Sequence, residues 1–173
     1  MLIVFMSSFI VLTVNWKINN DKTQMDFKIK GPFGMVNGSL KNLSGSIVFD
    51  ENNLSSSRID VTTDANSIKT GNGMRDRHLK KEEWFNPAKF PIIHFVSQSF
   101  SKSNSGFEVT GTLTMKDISK PLSFPFVFEH TDKTGTFKSS FTINRLDFGV
   151  GEKSFTVGND VTISLQVQTE IAQ

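Results

Sequence analysis

The chain has 173 residues, 19 basic and 17 acidic side chains for a formal charge of +2, 17 Phe, 2 Trp, and neither Tyr nor Cys. One domain accommodates this length, the small and scattered positive charge disfavours nucleic acid as a partner, and the missing cysteine removes disulfides, thiolate nucleophiles and thiolate metal sites together. Phenylalanine adds apolar area with no hydroxyl to satisfy, so this aromatic set suits either a dry core or a greasy cavity.

Residues 1–14 (MLIVFMSSFIVLTV) are almost uninterrupted apolar sequence, too short for the ~20 residues of a spanning helix. No Lys or Arg precedes Lys17 and no A-x-A site follows, although a cut after Thr13 puts Val11 at the −3 position. We read a secretory signal peptide, whole or lacking its first residues, in preference to a retained N-terminal strand. Residues 15–173 then form the domain, and its expected location is periplasmic or secreted.

From Trp16 the sequence takes up strand rhythm. Met25, Phe27 and Ile29 face one way and Asp26, Lys28 and Lys30 the other, the period of two that marks a strand with one wet face. Gly31-Pro32-Phe33-Gly34 breaks it, and two short runs follow, Val36 to Leu40 and Ser46 to Asp50. Arg58 to Asp64 alternates again. After an intervening segment the rhythm returns at Ile92 to Phe100, then in Phe107, Val109, Gly111, Leu113 and Met115 set against Glu108, Thr110, Thr112, Thr114 and Lys116. Leu122, Phe124, Phe126 and Phe128 form an inward phenylalanine-rich row. Pro125 in its middle cannot donate to a ladder, which predicts an edge, a bulge or a parting from one neighbour, and such a parting would make a natural mouth. Phe137 to Asn144 and Val161 to Ile171 supply the last strands. One-faced alternation repeated this often predicts an all-β, antiparallel barrel of about eight strands, preferred over a sandwich because closure removes exposed edges.

The segment from Ser67 to Phe95 departs from that rhythm. Met74 to Phe85 (MRDRHLKKEEWF) holds good helix formers without Pro or Gly, Asn72 or Thr70 can cap it, and Asp76 suits the positive end of the helix dipole. Its apolar residues, Met74, Leu79, Trp84 and Phe85, make no full stripe, so the helix is expected to lie across one barrel end as a lid.

Taken whole, SIKTGNGMRDRHLKKEEWFNPAKFPIIHF closely resembles the signature of the YceI-like family at Ser67, Ile68, Thr70, Gly71, Arg75, Asp76, His78, Leu79, Phe85, Phe90, Pro91 and Phe95. Matching positions continue from Trp16 through Gly38, Gly45, Gly111, Lys120-Pro121, Arg145 and Asp147-Phe148-Gly149 to Val161 and Ile163, so the resemblance covers essentially Trp16 to Ile171. Trp84, Phe90 and Leu40 depart from the family's usual residues, and Phe90 lacks the hydroxyl of the Tyr often found there. The resemblance implies a lipocalin-like barrel, usually exported to the periplasm, around an elongated apolar pocket for a polyisoprenoid or isoprenoid-quinone-like lipid. It implies no shared catalytic reaction.

On that reading Phe107, Leu113, Met115, Phe124, Phe126, Phe128, Phe141, Ile143, Ile163 and Leu165 line the pocket, with Leu79, Trp84 and Phe85 closing one end. The protein would sequester or carry the lipid. Two rivals stand beside it: an enzyme acting on a lipid head group through Asp76 and His78, and a filled barrel serving as an interaction scaffold. His78, His94 and His130 lie on separate elements without metal-ligand spacing, and no P-loop, dinucleotide fingerprint or G-x-S-x-G occurs. No cofactor, metal, nucleic acid or stable membrane span is therefore expected. A monomer and a homodimer are equally compatible with the sequence, and so are both orientations of His78.

Overall fold

Nine strands turn the alternation into a closed wall. The computed structural model describes residues 14–172, so the signal-peptide reading falls almost wholly outside the described residues. The strands are β1 (Asn15–Ile18), β2 (Gln24–Gly31), β3 (Gly34–Val48), β4 (Arg58–Lys69), β5 (Ile92–Ser103), β6 (Gly106–Met115), β7 (Ile118–His130), β8 (Thr134–Asn144) and β9 (Asp160–Ile171), with one helix, α1 (Gly73–Leu79), between β4 and β5. All pairings are antiparallel, β3 through β9 and β2 run around the barrel in the order β3-β2-β9-β8-β7-β6-β5-β4, and β4 closes onto β3. β1 and β2 both pair with β3 and with β9, at different heights. They act as two pieces of one wall position, so the barrel has eight.

β3 corrects the expectation of two separate runs. It is one strand of 15 residues, carried past the polar stretch Lys41-Asn42 by register shifts against β4 between Ser39 and Ser44. Asn42 has a positive φ of 65° and Gly45 one of 127°, and a Cβ at Gly45 would run into the carbonyl oxygen of Asp60. A bulge bends a strand without ending it, which is how a long strand follows a barrel wall.

Pro125 marks a parting, one of the outcomes its position predicts. It keeps register with Glu108 of β6, whereas the β7–β8 ladder stops at Val127↔Lys138. The Ser139 hydroxyl donates to the Pro125 carbonyl at 2.6 Å, so that carbonyl points towards β8, as would the N–H that proline lacks. Beyond it the seam is held from inside: Phe124 and Phe141 stack with centroids 4.4 Å apart and planes at 18°. Two rings thus bridge the parting from inside.

One end of the barrel is filled. Phe49 is only 1% exposed and packs edge-on against Phe107, Phe126, Phe128 and Phe137, with centroids 5.0 to 5.6 Å away. Trp16 seals the floor by donating its indole N–H to the Phe49 carbonyl at 2.9 Å and setting its ring against Phe128 at 5.1 Å. Such edge-to-face contacts stabilise by ~0.5–1.5 kcal/mol each beyond the area they bury.

Candidate functional site

Above this aromatic floor the inward rows of the wall no longer meet, and they leave a cavity of about 490 Å³. A few water volumes would come to ~100 Å³, so the filled-barrel alternative does not describe this molecule. Leu113, Met115, Phe124, Phe126, Phe141, Ile143, Ile163 and Leu165 line the wall, and Leu79, Trp84 and Phe85 line the upper end. Phe107 and Phe128 do not. They belong to the floor around Phe49, because alternation specifies which face a residue takes and not how far down the barrel it sits. The lining also includes Met25, Phe27, Ile29, Val61 and Phe95, whose inward phase was readable in the same way.

The lid is shorter than its sequence predicts. α1 ends at Leu79 and turns follow through Phe85, with the Phe85 N–H returning to the Leu79 carbonyl at 3.0 Å. On a continuous helix, at about 100° per residue, Leu79, Trp84 and Phe85 would point in three directions. Unwinding after Leu79 lets all three reach the cavity, where Trp84 and Phe85 pack on buried Met115, Phe148 and Val150.

The start of α1 is fixed by a closed set of hydrogen bonds. Asn72 is the cap, accepting from the N–H groups of Met74 and Arg75 at 3.0 and 3.1 Å. Asp76 is buried, and its Oδ1 accepts from the Thr70 N–H at 2.8 Å and the Thr70 hydroxyl at 2.6 Å. That hydroxyl in turn accepts from Arg75 Nε at 2.8 Å, and Arg75 Nη2 donates to the Thr70 carbonyl at 2.9 Å. The Thr70 hydrogen bond chiefly holds the Asp76 carboxyl below its ordinary range, with the charges of Lys69 and Arg75 adding to it against the opposing effect of burial. Arg75 and Asp76 therefore tie the lid to the end of β4.

His78 points to the cavity end. Its Nε2 accepts the indole N–H of Trp84 at 2.9 Å, and since indole nitrogen only donates, the ring is in the form with that nitrogen unprotonated. His94 and His130 stand elsewhere: His94 pairs with Asp60 at 2.7 Å on the outer wall, and His130 pairs with Glu51 at 3.1 Å at the floor end, its ring stacked on Phe128.

Arg145 was legible only as a matching position, and its role is structural to the site. It is buried, and its guanidinium donates to the carbonyls of Gly158, Val150 and Glu152 at 2.7 to 2.8 Å while lying 5.4 Å from the Trp84 ring centre. Burial lowers its pKa. Lys116, also depressed chiefly by burial, bridges the carbonyls of Glu82 and Gly149 at 3.1 and 2.7 Å. Together they lock residues 145–158 against the lid.

A deep apolar barrel with an aromatic floor, capped by a Thr-Gly…Arg-Asp-x-His-Leu lid, is matched along residues 16–169 by the description "YceI-like domain". The chain belongs to the YceI-like family. Among relatives, the UPF0312 protein ECA1782 of Pectobacterium atrosepticum is 29% identical over 151 residues, covering 83% of this chain and 79% of that protein. Among solved structures, BcnA of Burkholderia cenocepacia superposes with a TM-score of 0.83 at 23% identity, over 88% of this chain and 99% of that one. A domain of Saccharophagus degradans described as polyisoprenoid-binding and implicated in plant cell wall breakdown superposes at 0.71 with 12% identity, over 93% of this chain and 100% of its own. These two likenesses establish that the YceI-like barrel has the same fold as theirs.

Proposed function

We propose that this protein binds one elongated apolar lipid, of the polyisoprenoid or isoprenoid-quinone class, inside the barrel, and sequesters or carries it. The observation that carries this reading is the cavity itself, about 490 Å³ walled by Leu, Ile, Val, Met and Phe side chains from eight of the nine strands and the lid. Each methylene moved from water into such a wall gains ~0.8 kcal/mol, so a long hydrocarbon chain binds tightly with few polar contacts, and shape sets the choice. The polyisoprenoid-binding description of the Saccharophagus degradans domain supports the ligand class.

Asp76 and His78 do not favour the head-group enzyme. Asp76 Oδ1 is engaged by Thr70 and His78 Nε2 by Trp84, so the two groups form no acid–base pair across the cavity, as proton transfer to a common substrate would require. We place the protein in the periplasm or outside the cell, on the export-signal reading of residues 1–14 and the family resemblance.

Uptake of added polyprenols tests the proposal. Titration with prenols of increasing length should saturate at one per barrel and plateau in affinity once the chain fills the cavity. Phe126→Asp, which puts a charge above the floor, should abolish uptake, and His78→Ala should leave it within about threefold. Equal uptake by wild type and Phe126→Asp would refute the cavity as the site.

A further inference from the structure

The described surface carries eight large exposed hydrophobic residues, and six of them sit at the lid end: Phe33, Met35, Met74, Ile92, Ile118 and Phe155. Phe33 and Phe155 are fully exposed, at the tip of the β2–β3 turn and in the loop before β9. A soluble protein scatters such residues singly, so their concentration at one pole calls for a covering surface.

The two loops are fastened together. Gly158 N–H donates to the Lys30 carbonyl at 2.9 Å, and Pro32 and Val157, each close in sequence to one of the exposed phenylalanines, line the cavity. The exposed rings thus flank the lid end of the cavity without forming part of its wall. β3 carries the same rim to the lid, since Ser39 pairs with Lys69, just before the turn into α1 and Met74.

Charge follows the same polarity. Residues 28–36, 69–83 and 151–158, which form this rim, hold eight basic and four acidic side chains, a net of +4 against +2 for the whole chain, so the remainder carries −2. One of the four acids, Asp76, is buried against Thr70. Fully exposed aromatics at loop tips with lysine and arginine around them fit the boundary of an anionic bilayer, where rings enter the acyl region and cations remain among the head groups.

We propose that the lid end docks on an anionic phospholipid surface through Phe33 and Phe155, with Met35 and Met74 beside them. The cavity would then face the bilayer, and its lipid would pass between membrane and barrel without crossing water. This rests on the lipid-binding reading for its purpose, but not for its test.

Flotation with vesicles of phosphatidylcholine containing one-third phosphatidylglycerol, and with phosphatidylcholine alone, tests it on the folded protein. The wild type should float with the anionic vesicles, weakly with the neutral ones, and less as salt rises. Phe33→Ser/Phe155→Ser should reduce binding by about tenfold or more. Both rings are solvent-exposed, so the melting temperature should not change. Phe155→Trp should show quenching by brominated acyl chains. Wild-type protein that fails to float, or a double variant that floats as well, overturns the proposal. So does a concentration-dependent dimer in sedimentation that the double variant abolishes, since the patch would then cover a second copy. Polyprenol uptake from detergent separates the two readings: a double variant that takes up polyprenol yet does not float supports both docking and cavity, whereas floating protein that never takes up polyprenol defeats only the cavity reading.

Discussion

Phe124 and Phe141 stack 4.4 Å apart across the stretch where β7 and β8 exchange no ladder bonds, so two rings do there what main-chain hydrogen bonds do elsewhere in the wall. A barrel whose seam is held by side chains can be weakened at the seam alone.

Phe141→Ala is expected to lower stability by about 2–3 kcal/mol in urea unfolding, below the usual cost of a fully buried Phe because this ring borders a cavity. A double-mutant cycle with Phe124→Ala should return a coupling of about 1 kcal/mol. Amide exchange should quicken first at 139–143.

Acid should loosen the lid through Asp76. Its folded pKa lies below the unfolded value because of the Thr70 hydrogen bond, so its contribution is complete above the ordinary carboxylate pKa of ~3.9 and is lost as pH falls through the folded value. Melting temperatures measured from pH 6 to pH 3 should fall for the wild type. Asp76→Asn should start lower and fall less, and the two curves should converge at the acid end.

Arg145 is predicted to matter through carbonyls. Arg145→Met keeps much of the apolar stem but leaves the acceptors of Gly158, Val150 and Glu152 unbonded, a loss of about 2–4 kcal/mol, with faster exchange in 149–158. Gly151 reports on the same joint. It has a φ of 68° and a Cβ there would come within 2.9 Å of both Arg145 and Trp84, so Gly151→Ala should destabilise by about 1–2 kcal/mol.

The Trp84–His78 bond sets a tautomer. Nitrogen NMR at pH 8 should show His78 protonated at Nδ1 alone, and Trp84→Phe, which removes the donor, should relax that preference.

These relationships differ in how far sequence discloses them. β6 and β9 were legible because nearly every second residue is apolar, Thr169 being the one polar residue in the inward phase of β9. β3 was not, since Lys41-Asn42 looks like a loop and the bulge that absorbs it depends on partners in β4. Phe107 and Phe128 shared a phase with true lining residues, and only Phe49, arriving from a distant strand end, decides that they form a floor. The lid was recognisable by its motif, while its length followed from a need to aim Leu79, Trp84 and Phe85 together. Arg145 left no charge-pairing signal because its partners are backbone carbonyls, which every residue has.

The most direct test of the central claim is mass spectrometry of an organic extract from protein purified without detergent. A single elongated isoprenoid at about one per barrel, absent from Leu165→Trp protein in which an indole fills the cavity, is the predicted result. Wild-type protein that yields no lipid, and remains empty after incubation with polyprenols, would contradict it.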